Sequence, residues 1–187
     1  MRTVRCDDAG LAETSSALNA GAVAVIPTDT VYGLAAHPAF PSAVERLYTI
    51  KGREAGKPIA LLASDASAVA RFGYPLSGEA ARLASVGWPG ALTLVVGPEG
   101  AAEGFRVPDH EWTRRLLAAC GGVLRVTSAN MSGMRPATDA PGALADVGLS
   151  ADIVADGGVS PGGVPSTVVR VCSDGSVAIL REGAVKI

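Results

Sequence analysis

The chain has 187 residues, 48% of them apolar, and its 16 basic and 18 acidic residues leave a formal charge of -2. That size fits one hydrophobic core and hence one domain, 1–187, with one site; the charge balance excludes the basic footprint of a dedicated nucleic-acid binder, so any RNA contact has to be local. Three dispersed cysteines, Cys6, Cys120 and Cys172, suit neither a disulfide framework nor a paired zinc motif, and no apolar stretch approaches the roughly 20 residues of a membrane span, so a soluble cytoplasmic protein is expected.

Asp8 to Ala20 reads as a first helix closed by Gly21, and Ala22 to Ile26 as a short buried strand stopped by Pro27. Pro41 to Ile50 sets Val44, Leu47 and Tyr48 at helical spacing with proline at its start and Gly52 at its end, delivering Lys51 and Arg53 to the helix exit. Ile59 to Ala63 is a second buried run. Helical stretches Ala66–Phe72 and Gly78–Val86 follow, broken by Trp88-Pro89-Gly90. Strands are then predicted at Leu92–Val96, Phe105–Val107, Val123–Val126, Ile153–Val154, Thr167–Val171 and Val177–Leu180, the last two joined by Ser173-Asp174-Gly175 as a hairpin. Helices between the earlier strands and a hairpin at the end predict an α/β fold: parallel pairs in the first half, an antiparallel end, and one mixed twisted sheet.

Polar residues gather at the strand ends, where α/β sheets present ligand groups. IPTDTVYGL, Ile26 to Leu34, packs Thr28, Asp29, Thr30 and Tyr32 together; a ligand wall and a turn capped by Asp29 with Tyr32 packed beneath it explain the segment equally. YTIKGREAGKP holds Lys51, Arg53 and Lys57 around Gly52 and Gly56, either a phosphate or carboxylate clamp or a solvated helix exit whose cations suit the dipole. A P-loop is rejected, because the first spacing is one residue short and Pro58 stands where Ser or Thr is required. VTSANMSG, Val126 to Gly133, offers Thr127, Ser128, Asn130 and Ser132 to phosphate or ribose oxygens, or to a helix cap. Ser166 and Thr167 open a strand, and Arg181 ends its hairpin partner. Arg106 suits an amino-acid carboxylate or a surface pair with Asp109. His37 and His110 are too few and too isolated for a metal triad, so no metal-ligating residues are assigned.

In this order, PTDTVYGL, KGR followed by KP, WPGALTLV, FRVPDH, TSANMSG, PSTVV and ILREG resemble the YrdC family of threonylcarbamoyl-AMP synthases, from about Ala9 to Ile187. The resemblance implies a YrdC-like twisted open mixed sheet with flanking helices around a concave basic cavity. It implies a nucleotidyltransferase that condenses L-threonine with bicarbonate or carbon dioxide and ATP, with Mg2+ on the nucleotide, to threonylcarbamoyl-AMP and pyrophosphate. The product would pass to a tRNA threonylcarbamoyl transferase complex for N6-threonylcarbamoyladenosine formation. By the same resemblance Lys51 and Arg53 are catalytic and bind ATP with Lys57, Ser128, Asn130 and Arg181, whereas Thr28, Thr30, Tyr32, Arg106 and Ser166 hold threonine. The sequence departs from the family at Lys57-Pro58-Ile59 and Leu61-Leu62, where many longer relatives have Asn-Pro-Leu followed by a threonine-contacting His, and at Ala102 and Pro165. Ending just after REGAV, it resembles the short form without a further C-terminal domain. A paralogue in another carbamoyl-adenylate pathway and a noncatalytic RNA-binding module remain as alternatives, which a pyrophosphate-release assay separates.

Overall fold

The computed structural model describes residues 1–54, 56–147 and 150–187. Ten strands form one mixed sheet in the order β1-β8-β2-β3-β7-β4-β6-β5-β9-β10. The strands are β1 (Arg2–Arg5), β2 (Val23–Ile26), β3 (Gly33–Ala36), β4 (Leu61–Ala63), β5 (Leu92–Val96), β6 (Glu103–Arg106), β7 (Val123–Ser128), β8 (Ile153–Asp156), β9 (Thr167–Val171) and β10 (Val177–Arg181). Six α-helices flank them: α1 (Asp8–Asn19), α2 (Pro41–Lys51), α3 (Ala66–Arg71), α4 (Gly78–Gly87), α5 (Glu111–Ala119) and α6 (Ala140–Asp146).

The mixed sheet and the closing β9–β10 hairpin agree with the sequence reading. The parallel pairs expected in the first half occur, but only between strands that are not consecutive. β2 and β3 pair antiparallel, as do β3 and β7, whereas the parallel pairs join strands distant in the chain: β1 and β2 with β8, β4 with β6, and β5 with β9. The reason lies in PTDTVYGL, which is a tight reversal. Its last residues enter β3, a strand of Gly, Leu and Ala that carries no β-branched residue to announce it. Strand β1 was also unexpected, since Arg-Thr-Val-Arg is a polar edge.

Side-chain alternation distributes the helices. On one sheet face, Val23, Val25, Leu34 and Ala36 pack with Ala43 and Leu47 of α2, while Leu61, Leu94, Phe105 and Val169 pack with Val69 of α3 and Leu83 of α4. On the other face, Ile26, Ala35 and Leu124 pack with Leu18 of α1 and Leu116 and Leu117 of α5. Beyond Leu62 that second face passes to Thr93, Val95, Gly104 and Arg106, and there it lines a cavity.

Helix α5 begins with an unusual cap: His110 Nδ1 accepts from the Thr113 amide at 3.3 Å, and the Thr113 hydroxyl donates to Pro27 O at 2.8 Å, tying the helix to the start of the PTDTVYGL turn. Burial, opposed by Asp29, deepened by Arg114 and opposed again by Asp109, holds His110 below its ordinary value of 6.5. The unfolded chain therefore takes up this proton first, so the stability due to the neutral cap is present above pH 6.5 and is lost as pH falls through the depressed folded value. His110→Asn keeps a capping acceptor and removes the titration. Its melting temperature is expected to fall less than that of the parent between about pH 7 and about pH 5, a difference thermal denaturation measures directly.

Candidate active site

The cavity holds about 610 Å³. Its floor is a row across four strands, Leu62, Arg106, Thr93 and Val168, which ladder registry sets side by side on one face. The next row contains Gly104 and Val95. A Cβ added at Gly104 would stand 3.4 Å from the Ala60 side chain, 3.6 Å from the Thr93 methyl and 3.7 Å from Val95, so the glycine keeps the floor open.

Arg106 anchors this floor. Its Nε donates to Gly90 O at 2.9 Å, one terminal nitrogen to Thr30 Oγ1 at 2.8 Å, and the other to Asp29 Oδ1. The surface pair with Asp109 that the sequence allowed does not form, because Asp109 lies against Arg114. Burial lowers the Arg106 pKa, Asp29 opposes that, and Arg181 adds to it. A guanidinium nevertheless stays charged at neutral pH, and with three bonds made among the described residues it keeps one further N–H on each terminal nitrogen.

Bond directions follow from donor supply. The Thr28 hydroxyl donates to Val31 O at 2.7 Å, so in its 3.0 Å contact with Thr30 the Thr30 hydroxyl is the donor. A chain therefore runs from Arg106 through Thr30 and Thr28 to the backbone. The Tyr32 phenol donates to Gly158 O at 2.7 Å and accepts from the Gly157 amide at 3.0 Å, and burial raises its pKa to about 12. It shapes the wall by pinning the 157–158 turn.

At the far side Arg181 donates to Ser166 O at 2.7 Å and to Ser166 Oγ at 3.1 Å, and Ser166 Oγ lies 2.8 Å from Thr93 Oγ1. Burial and then Arg53 lower the Arg181 pKa. Arg53 itself donates to Lys57 O at 3.0 Å and Pro58 O at 3.1 Å, curling the helix exit over the cavity, while the Lys57 ammonium pairs with Glu54 at the surface. The cavity thus gathers Arg53, Lys57, Arg106 and Arg181, and among the described residues lining it there is no carboxylate.

Lys51 and Asn130 sit behind the lining rather than on it. Lys51 Nζ donates to Ser128 O and to Asn130 O at 2.7 Å, with Ser128 Oγ and Asn130 Oδ1 each at 3.3 Å, and Asn130 Nδ2 donates to Met131 O at 2.8 Å and Met134 O at 2.7 Å. Burial, then Arg53, against Asp146, bring Lys51 down to about 8. The ammonium closes the TSANMSG loop around itself and so presents Ser128 to the cavity. Residues that the sequence reading left out are Asp29, which the β2–β3 reversal brings against Arg106, and Thr93 and Gly104, which strand registry rather than local pattern places in the floor.

The Sua5/YciO/YrdC family model, described as telomere recombination, matches residues 16–183. The chain belongs to this family. A Bacillus subtilis family member named threonylcarbamoyl-AMP synthase is 34% identical over 193 residues, covering 96% of this chain and 55% of its own. A Mycobacterium leprae member given the same name provisionally is 35% identical, with 95% of this chain and 84% of its own covered. The crystal structure of P. abyssi Sua5 complexed with L-threonine superposes with a TM-score of 0.86 at 27% identity, covering 97% of this chain and 57% of that one. The Sua5/YciO/YrdC fold is therefore this open mixed sheet with its flanking helices.

Filling the floor tests whether this cavity is the family's site in the present chain. Gly104 makes only ordinary contacts at its Cβ position, so Gly104→Val is expected to fold with a melting temperature within a few degrees of the parent while occupying the space above Thr93 and Ala60. Loss of about 10-fold or more in affinity for a ligand that occupies this cavity, measured by calorimetry, is the expected outcome.

Proposed function

We propose that this chain is an L-threonylcarbamoyladenylate synthase, forming threonylcarbamoyl-AMP and pyrophosphate from L-threonine, bicarbonate or carbon dioxide, and ATP. The observation that carries the reading is the charge arrangement of the cavity: a buried Arg106 with free N–H groups on one side, Arg53 and Arg181 on the other, and Ser166 between them. The threonine named in the P. abyssi Sua5 complex supports the amino-acid half of this assignment.

In this mechanism the threonine carboxylate takes the free N–H groups of Arg106, and Thr28, Thr30 and Tyr32 act by fixing the wall that holds Arg106. The α-amine, deprotonated, attacks the carbon of carbon dioxide and sheds a proton, giving a carbamate. A carbamate oxygen then attacks the α-phosphorus of ATP, the bond to the β-phosphate bridging oxygen breaks, and pyrophosphate leaves with that electron pair. No protein nucleophile is required; the work is alignment and stabilisation of charge that grows on phosphoryl oxygens. Arg53 and Arg181 meet that charge, with Lys57 at the mouth and Ser128 held in place by Lys51 and Asn130. Mg2+ enters with the nucleotide phosphates; the described cavity lining supplies no carboxylate for it, so no step is assigned to it. The adenylate then passes to a tRNA threonylcarbamoyl transferase complex in the cytoplasm, and no described helix is long and apolar enough to cross a membrane.

Pyrophosphate release is expected only when ATP, L-threonine and bicarbonate are all present. Arg53→Ala and Lys51→Ala are each expected to lower turnover about 100-fold, the usual loss when a preorganised charge-stabilising group or its support is removed. Wild-type rates in both would sink the assignment.

A further inference from the structure

The Arg106 guanidinium has a partner that neither the resemblance nor the family match assigns a task. Asp29 and Arg106 form an ion pair with side chains only 12% and 7% exposed. Removing charge from water to this extent is costly unless geometry is fixed and the remaining polar atoms are satisfied. The geometry is fixed, while two Arg106 N–H groups stay without a partner among the described residues. The backbone carrying Asp29 is locked: Thr28 Oγ1 accepts from the amides of Thr30 at 3.1 Å and Val31 at 3.3 Å, and the Gly163 amide donates to Thr30 O at 2.8 Å. Gly162 presses so closely that an added Cβ would lie 2.7 Å from Asp29 O.

We propose that Asp29 is a positioning residue for the amino-acid substrate: it holds the plane of the Arg106 guanidinium so that its free N–H groups meet the substrate carboxylate in bidentate fashion. The inference rests on Arg106 being the carboxylate anchor of the proposed synthase. Gly90 O and Thr30 Oγ1 are neutral acceptors, so Asp29 alone supplies opposite charge against the repulsion from Arg181. Without it, the guanidinium is free to swing toward solvent, and the carboxylate loses a fixed fork. Because Asp29 works through Arg106, its removal affects amino-acid binding and leaves nucleotide binding alone.

A double-variant cycle of Asp29→Asn and Arg106→Met tests this, with L-threonine and ATP affinities measured by titration and KM and kcat by pyrophosphate release. Asp29→Asn is expected to weaken threonine binding about 10- to 100-fold, the scale of a misplaced binding group, with ATP affinity within about twofold. On the Arg106→Met background the same change is expected to have no further effect on threonine affinity. Unchanged threonine affinity in Asp29→Asn overturns the proposal, as does an equal loss on both backgrounds. Should Asp29→Asn fail to fold, Asp29→Glu, which keeps the charge and displaces it by one methylene, is expected to weaken threonine binding with ATP affinity within about twofold, and unchanged threonine affinity in that variant overturns the proposal. Threonine binding by the parent without pyrophosphate release would refute the synthase reading and leave the positioning result standing.

Discussion

A strand row that turns Arg106, Thr93 and Val168 from the part of its face packed on α5 into an open cavity has to satisfy any polar group it carries from the loops around it. That constraint shapes the whole cavity. Arg106 emerges from β6 into that face, and its charge is tolerable only because two other segments bring it three acceptors: Gly90 after the Trp88-Pro89 break, and Thr30 and Asp29 from the β2–β3 reversal. The reversal in turn is fixed by Thr28 and by the 157–163 segment, which Tyr32 and Gly163 hold. Holding one buried guanidinium therefore organises residues from four regions of the chain into one wall.

The opposite wall follows a similar logic with a lysine. Helix α2 ends on Lys51 with Gly52 in the left-handed conformation at φ 58°, which turns the chain back so that Arg53 reaches the carbonyls of Lys57 and Pro58. Lys51 points the other way, into the loop after β7. An ammonium can donate three bonds and accept none, so the carbonyls of Ser128 and Asn130 are suitable company. Two adjacent cations on one helix exit are thereby given separate tasks: one builds the loop, the other faces the cavity.

The sequence displayed the elements whose signal is local. Pro41 and Gly52 bracket α2, a fully apolar run marks β2, and the Cys172–Ser176 turn marks the last hairpin, and each is where its pattern put it. What could not be read locally was set by partners. β3 is a strand because β2 and β7 flank it, not because Gly-Leu-Ala-Ala prefers extension. Arg106 had a carboxylate three residues away in Asp109, and proximity in sequence made that pair plausible; the fold instead places Asp29 against it, 77 residues away. The candidate ligand residues were legible as a set of segments at strand ends. Which of them face the cavity was not, since Lys51 turns inward to acceptors on the loop after β7, and Asn130 is held there by that ammonium and by carbonyls of its own loop.

The electrostatics of the cavity carry a final consequence. Arg53 lowers the pKa of both Lys51 and Arg181, and Arg181 lowers that of Arg106, so the cations are mutually unfavourable in the protein alone. Asp29 relieves only the Arg106 end. Anions bound between Arg53 and Arg181 would remove the remaining repulsion, and that relief is largest where negative charge is most concentrated. A triphosphate transferring its adenylyl group to a carbamate concentrates charge on the α-phosphate and leaving oxygens as the reaction proceeds. The same repulsion that weakens the free site thus favours the charge distribution of the reaction, and a neutral arrangement of equal shape would lack that bias.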